Sequence, residues 1–241
     1  QMGMRPTLMT NGIKATRSLL EELVKVGLYD VAFHVDTTQE RKGYATEMEL
    51  NAVRKKYIDR ARGLPLHIIF NTTVYKGNFH EIPDLIRFFR KHTEVVAFAS
   101  FQLQADTGRG ELRKRDLVIS ADTVAQQIRQ GAGTDLRYDG ITIGHPDCNR
   151  YATSLSINGN LYDLMDQPEF VTDFMNKTAD LELDRTNPAK VAANLSKWLV
   201  KNPSMFKGGA KYIFPKLWRM KKDLMLAKGK VNKLTFFIHN F

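Results

Sequence analysis

The chain has 241 residues, 43% hydrophobic and 26% charged, with a formal net charge of +10. That is the composition of a globular chain long enough to bury a core. With 16 Gly and 8 Pro it is neither collagen-like nor low-complexity, no apolar run reaches the roughly 20 residues of a spanning helix, and the single Cys148 excludes both an intrachain disulfide and a cysteine-based metal site completed within these residues.

Thr7-Leu8-Met9 is a short apolar strand that runs into the turn signal Thr10-Asn11-Gly12. Leu19, Leu20, Leu23 and Val24 then share one face of a helix over residues 16–26, which Gly27 stops. Residues 31–36, Val-Ala-Phe-His-Val-Asp, read as a buried strand with a polar end. Leu50, Val53, Tyr57, Ile58 and Ala61 give helical spacing over residues 47–62, broken at Gly63-Leu64-Pro65. A third strand covers 66–70 and ends in Asn71-Thr72-Thr73; a third helix covers 80–92; a fourth strand covers 95–100 and ends near Gln102.

Each strand is a continuous apolar run rather than an alternating one, and each is followed by a helix. That pattern predicts adjacent parallel strands with helices on the outer face. Polar residues cluster just past every strand: Thr10-Asn11, Asp36-Thr37-Thr38, Asn71-Thr72-Thr73 and Gln102. Such residues also turn chains and cap helices. Four clusters after four parallel strands nevertheless point to one shared ligand crevice.

The alternation stops after residue 103. Thr107-Gly108-Arg109-Gly110 is a loop with one cation, and a helix follows over 122–129. Residues 139–143 read as a short strand feeding the polar loop His145-Pro146-Asp147-Cys148-Asn149. Leu155-Ser156-Ile157, Asn158-Gly159 and Leu161-Tyr162 make a small hairpin. Helices are expected over 168–175 and 188–200. Residues 197–233 hold eleven Lys or Arg and one acid, Asp223, which accounts for the whole net charge; the remainder is balanced. Within that segment Ile213, Phe214, Leu217, Trp218, Leu224 and Met225 alternate with cations. The spacing predicts an amphipathic helix over 210–227 with Pro215 near its start. Such a helix suits an anionic membrane surface, or packs its apolar side into the domain; contact with nucleic acid is the weakest of the three readings.

These residues resemble a known family. The strand ending Thr10-Asn11-Gly12, the helix with Leu19-Leu20-Glu21-Glu22-Leu23, and Val26-Gly27-Leu28-Tyr29-Asp30-Val31 leading to Asp36 resemble the third and fourth βα units of radical S-adenosylmethionine enzymes. Phe101-Gln102-Leu103, Thr107-Gly108-Arg109, Gly144-His145-Pro146-Asp147-Cys148 and the closing Phe236-Phe237-Ile238-His239-Asn240-Phe241 are similar to the subgroup that includes tetraether-lipid synthases. The resemblance implies an α/β fold: a partial barrel of the last four βα units over 1–110, a C-terminal α+β extension with hairpin and helices over 111–196, and a basic amphipathic segment with a truncated terminal strand over 197–241. The family's Cys-x3-Cys-x2-Cys loop and Gly-Gly-Glu strand are missing from this sequence, so the chain is expected to be part of a longer protein, with cluster ligands outside it.

The resemblance further implies cofactors and partners. These are S-adenosylmethionine and a 4Fe–4S cluster, which together generate a 5′-deoxyadenosyl radical that abstracts hydrogen from an organic, small-molecule or lipid substrate; a reducing electron donor is also required. It implies a cytoplasmic protein; peripheral membrane contact through 210–227 is what the amphipathic pattern of that segment adds. Thr10, Asn11, His34, Asp36, Asn71, Thr72 and Gln102 would line the S-adenosylmethionine pocket, the Gln102 amide suiting an adenine edge. Arg109 would hold a substrate carboxylate or phosphate, and Cys148 would be one ligand of an auxiliary cluster. The other reading is a non-catalytic α/β module that binds a small ligand at its strand ends and uses the basic segment as an interaction surface.

Overall fold

The computed structural model describes residues 5–105, 118–141, 143–145, 147–181, 187–227 and 230–240. The first strands and helices alternate as β1 (Thr7–Thr10), α1 (Arg17–Lys25), β2 (Asp30–His34), α2 (Asn51–Ala61), β3 (His67–Val74), α3 (Ile82–Arg90) and β4 (Val96–Leu103). Then come α4 (Ala121–Ala132), the hairpin β5 (Asn149–Ile157) and β6 (Asn160–Asp163), α5 (Pro168–Lys177), α6 (Pro188–Lys201), α7 (Pro203–Leu226) and β7 (Val231–His239). Among the described residues the protein is α/β, with one mostly parallel sheet of seven strands in the order β1-β2-β3-β4-β7-β5-β6.

The four strands expected to lie side by side do so, all parallel. β7 continues the parallel set beside β4, then pairs antiparallel with β5. The last strand of the given sequence thus lies inside the sheet and joins its two halves. The hairpin turn is as expected: Asn158 and Gly159 have φ of 51 and 80, the two consecutive left-handed residues that a tight hairpin demands.

Helices α1 to α4 cover one face. Val31, Phe33, Ile68, Phe70, Ala99 and Phe236 point into them and are buried against Leu20, Ile58, Ile86, Phe89 and Ile128. Phe70 stacks on Phe89 at 5.4 Å between centroids. Each fully buried Val, Ile, Leu or Phe among them is worth about 1.5–3 kcal/mol. Thr16 caps α1 by accepting from the Leu19 amide at 3.2 Å, and Ser120 and Thr123 form a reciprocal capping box at α4.

Three local expectations are corrected. Helix α2 begins at Asn51 rather than at 47, because Glu47 turns inward before it. Ile141 and Ile143 lie in no strand; the extended segment starts at Asn149 instead. Helix α7 begins at Pro203, and Pro215 lies in its interior. Pro203 takes the first turn, where its missing N–H costs nothing. Pro215 is exposed, as is Lys211, whose carbonyl loses its helical donor to the proline ring.

No helix among the described residues is long and apolar enough to cross a membrane.

Candidate functional site at the ends of the parallel strands

Side chains alternate between the two faces of a strand, so the register fixes which residues are neighbours. On the face away from α1 to α4, His34 pairs with Asn71, Asn71 with Ser100, Thr73 with Gln102, Gln102 with His239, and His239 with Asn149. One polar band thus crosses β2, β3, β4, β7 and β5 at the C-terminal ends of the parallel strands. None of its members belongs to the core on the other face. Helix α7 packs on this face only towards the opposite end, where Met220, Leu224 and Ala227 meet Leu155 and Ile157.

The band is held from behind by a charged pair. Asp36 is fully buried. Its Oδ2 accepts from His34 Nε2 at 2.6 Å and from the Thr73 amide at 2.7 Å; its Oδ1 accepts from the Thr38 amide at 3.1 Å and the Thr38 hydroxyl at 2.6 Å. Four donors saturate the carboxylate. Burial alone would raise its pKa, but these hydrogen bonds, His34 first, outweigh burial and hold it below the usual 3.8. The hydrogen bond to Asp36, partly offset by burial, raises His34 above 6.5. The group presented at the surface of the band is therefore the His34 imidazole, 36% exposed, with an ionised Asp36 fixing its orientation.

A second buried pair fixes the loop after β2. The Arg54 guanidinium donates to the Glu47 carboxylate, to the Glu47 carbonyl at 2.7 Å and to the Val35 carbonyl at 2.7 Å. Glu47 Oε1 accepts from the Thr37 amide and hydroxyl, each at 2.9 Å, and from Asn78 Nδ2 at 2.9 Å. Asn78 also donates to the Thr73 carbonyl at 2.8 Å. The β2 and β3 ends are thereby tied to each other and to α2. Sequence reasoning missed both residues; the only signal was a Glu and an Arg seven positions apart at a helix start, a spacing that exposed pairs share.

At the other end of the band, the Asn71 amide donates to the Gln102 carbonyl oxygen at 3.4 Å. The Tyr151 and Phe237 rings stack at 4.0 Å, and His239 meets the Phe237 ring edge-on. Burial pushes His239 down to about 4, so it is neutral at physiological pH. The two histidines thus differ in character, one stabilised as a cation and one as a neutral ring. The site offers paired amides, an aromatic stack and one titratable imidazole.

The remaining sequence candidates divide. Thr10 pairs in register with Phe33, which places it on the helix-covered face, and its hydroxyl accepts from the Gly12 amide at 3.1 Å. Asn11 turns its side-chain oxygen to the Ile13 amide, while its carbonyl accepts from Arg41 at 2.6 Å. Thr72 points away from Asn71 and is buried, its hydroxyl unpartnered. Asp36 is brought to the band but is sealed beneath it, so its task is to position His34. Arg109 lies outside the described residues. Cys148 is an exposed free thiol at the same end of the sheet as His239, and its carbonyl accepts from the Asn240 amide at 2.7 Å. Among the described residues no three His, Cys, Asp or Glu side chains gather as a metal site.

The chain matches no protein-family model and no curated protein.

Proposed function

We propose that this chain is the C-terminal part of a radical S-adenosylmethionine domain, its strands forming part of the family's barrel. The observation that carries the reading is the polar band across the C-terminal ends of adjacent parallel strands, on the one face that α1 to α4 leave uncovered. The Asn71 and Gln102 amides supply both donors and acceptors for an adenine edge, and the Tyr151–Phe237 stack supplies a flat apolar surface beside them. His34, held by Asp36, would contact the ribose or methionyl end. Those residues fit S-adenosylmethionine. They do not fit the cluster, which needs three thiolates where this sequence has one cysteine; its ligands would come from outside these 241 residues.

When loaded, the cluster and S-adenosylmethionine supply one-electron chemistry on an organic substrate, with electrons from a reducing partner. This chain's own residues bind and orient the nucleoside. Such chemistry belongs in a reducing, cytoplasmic compartment. Titration calorimetry of this chain with S-adenosylmethionine tests the reading. Binding is expected, weakened about ten-fold by Gln102→Ala or Asn71→Ala, each of which removes one or two hydrogen bonds. No heat with S-adenosylmethionine, or binding indifferent to both substitutions, would overturn it.

A further inference from the structure

Away from the strand ends, helices α5, α6 and α7 enclose a pocket of ≈ 620 Å³ lined almost wholly by apolar side chains, among them Phe170, Phe174, Leu195, Leu199, Phe206 and Phe214. Two of these, Phe206 and Phe214, are also 61% and 67% exposed, so the apolar lining runs out of the pocket onto the surface. Four residues beyond Phe214, on the same side of α7, Trp218 is 71% exposed. The opposite side of α7 is the buried one, carrying Met205, Lys216, Met220 and Asp223. A globular helix normally turns its aromatic residues inward; α7 turns these outward.

The charges on this side are equally one-sided. Lys207, Lys211, Lys221 and Lys222 are exposed among the aromatic residues, and the Lys221 ammonium lies 3.4 Å from the centroid of the Trp218 ring. Helix α6 adds Lys197 and Lys201 and has no acid. The single acid of α7, Asp223, is turned to the hairpin, where it accepts from Tyr162 and from Asn160 at 2.5 and 2.7 Å. Exposed aromatics interleaved with lysines, next to an apolar pocket and with no acid from α6 or α7 on their side, match an interface where anionic groups lie directly above hydrocarbon.

We propose that the outer side of α6 and α7 docks on an anionic phospholipid bilayer. Phe206, Phe214 and Trp218 enter the boundary between headgroups and acyl chains, the lysines pair with headgroup charges, and the α5–α7 pocket receives an acyl chain. A nucleic acid would use the lysines but has no use for a pocket without polar lining. This docking does not depend on the strand-end site binding S-adenosylmethionine.

The test is co-sedimentation of the 241-residue chain with vesicles of phosphatidylcholine alone or mixed with phosphatidylglycerol, at low salt. The mixed vesicles are expected to carry the protein down and the neutral ones to leave it in solution. Replacing Lys207, Lys211, Lys221 and Lys222 together by Gln should weaken binding roughly several-hundred-fold, about five-fold per lysine. Replacing Phe206, Phe214 and Trp218 together by Ser, with every charge kept, should abolish it. Trp218→Ser alone, checked by thermal melting, serves should the triple variant fold poorly, and should weaken binding measurably. Failure to sediment with mixed vesicles, equal sedimentation with neutral ones, full binding by the aromatic-to-Ser variants, or preference for duplex DNA in competition would each overturn the proposal.

Discussion

Asp36 lies directly beneath His34, its Oδ2 2.6 Å from the imidazole Nε2, and each holds the other in its charged form. His34 is raised above 6.5, so its contribution to stability is complete below that value and is lost as pH rises through the folded pKa. Asp36 is lowered below 3.8, so its contribution is complete above that value and is lost as pH falls through the folded pKa. Both contributions coexist between 3.8 and 6.5. Thermal melting should show wild type losing stability relative to His34→Gln as pH rises above 6.5. In Asp36→Asn, NMR titration should find the His34 pKa lowered towards its ordinary range. An unchanged His34 pKa would remove Asp36 from its positioning role.

Arg54 is fully buried against Glu47. Arg54→Ala strands that carboxylate without its cation and should cost about 3–5 kcal/mol in urea unfolding. Arg54→Met with Glu47→Gln removes both charges and should recover a substantial part of that loss. A double variant no more stable than Arg54→Ala would assign the effect to lost packing instead.

Gly131 in α4 sits against α3, and a Cβ there would come 2.5 Å from the Pro83 carbonyl oxygen and 2.7 Å from the Ile86 Cβ. Alanine is the better helix former by about 1 kcal/mol. The backbone contact is unyielding, so Gly131→Ala should nonetheless destabilise by about 1–3 kcal/mol. Chemical denaturation reads the sign directly, and a gain in stability would mean that α3 and α4 separate freely.

Pro215 occupies an exposed interior position of α7. Pro215→Ala restores a helical hydrogen bond and removes the ring's clash, together worth about 3 kcal/mol, against about 1 kcal/mol of added freedom in the unfolded chain. A net gain of about 2 kcal/mol should appear in thermal melts; a loss would show that the packing of α7 relies on a bend at that residue.

The first half of the chain was legible because its elements are local. Val31, Phe33, Ile68 and Phe70 lie in short apolar runs, and Gly27 and Pro65 punctuate the helices between them, so order and type could be read from neighbours in sequence. The hairpin at Asn158-Gly159 was legible for the same reason. The place of β7 was not. Its apolar run announces a strand, but pairing with β4 on one side and β5 on the other depends on residues far along the chain. Pro215 misled because a proline signals a helix start only when no better start precedes it, and Asn202-Pro203 does. At the strand ends Asn71 and Gln102 were readable, since each follows an apolar run; Thr10, expected beside them, lies on the helix-covered face. The burial of Asp36 and the Glu47–Arg54 pair were not, because both depend on three elements meeting.

The sheet order also sets a timetable for folding. β4 ends at Leu103 and its neighbour β7 begins at Val231, so a ribosome must make everything between them before the two can meet. Until then β4 and β5 each present a bare strand edge, with apolar residues such as Phe101 and Ala152 at hand for wrong partners. Contacts so distant in sequence are closed slowly. β7 is thus the strand on which assembly of this sheet waits, and nascent chains halted before it should be the species that chaperones retain.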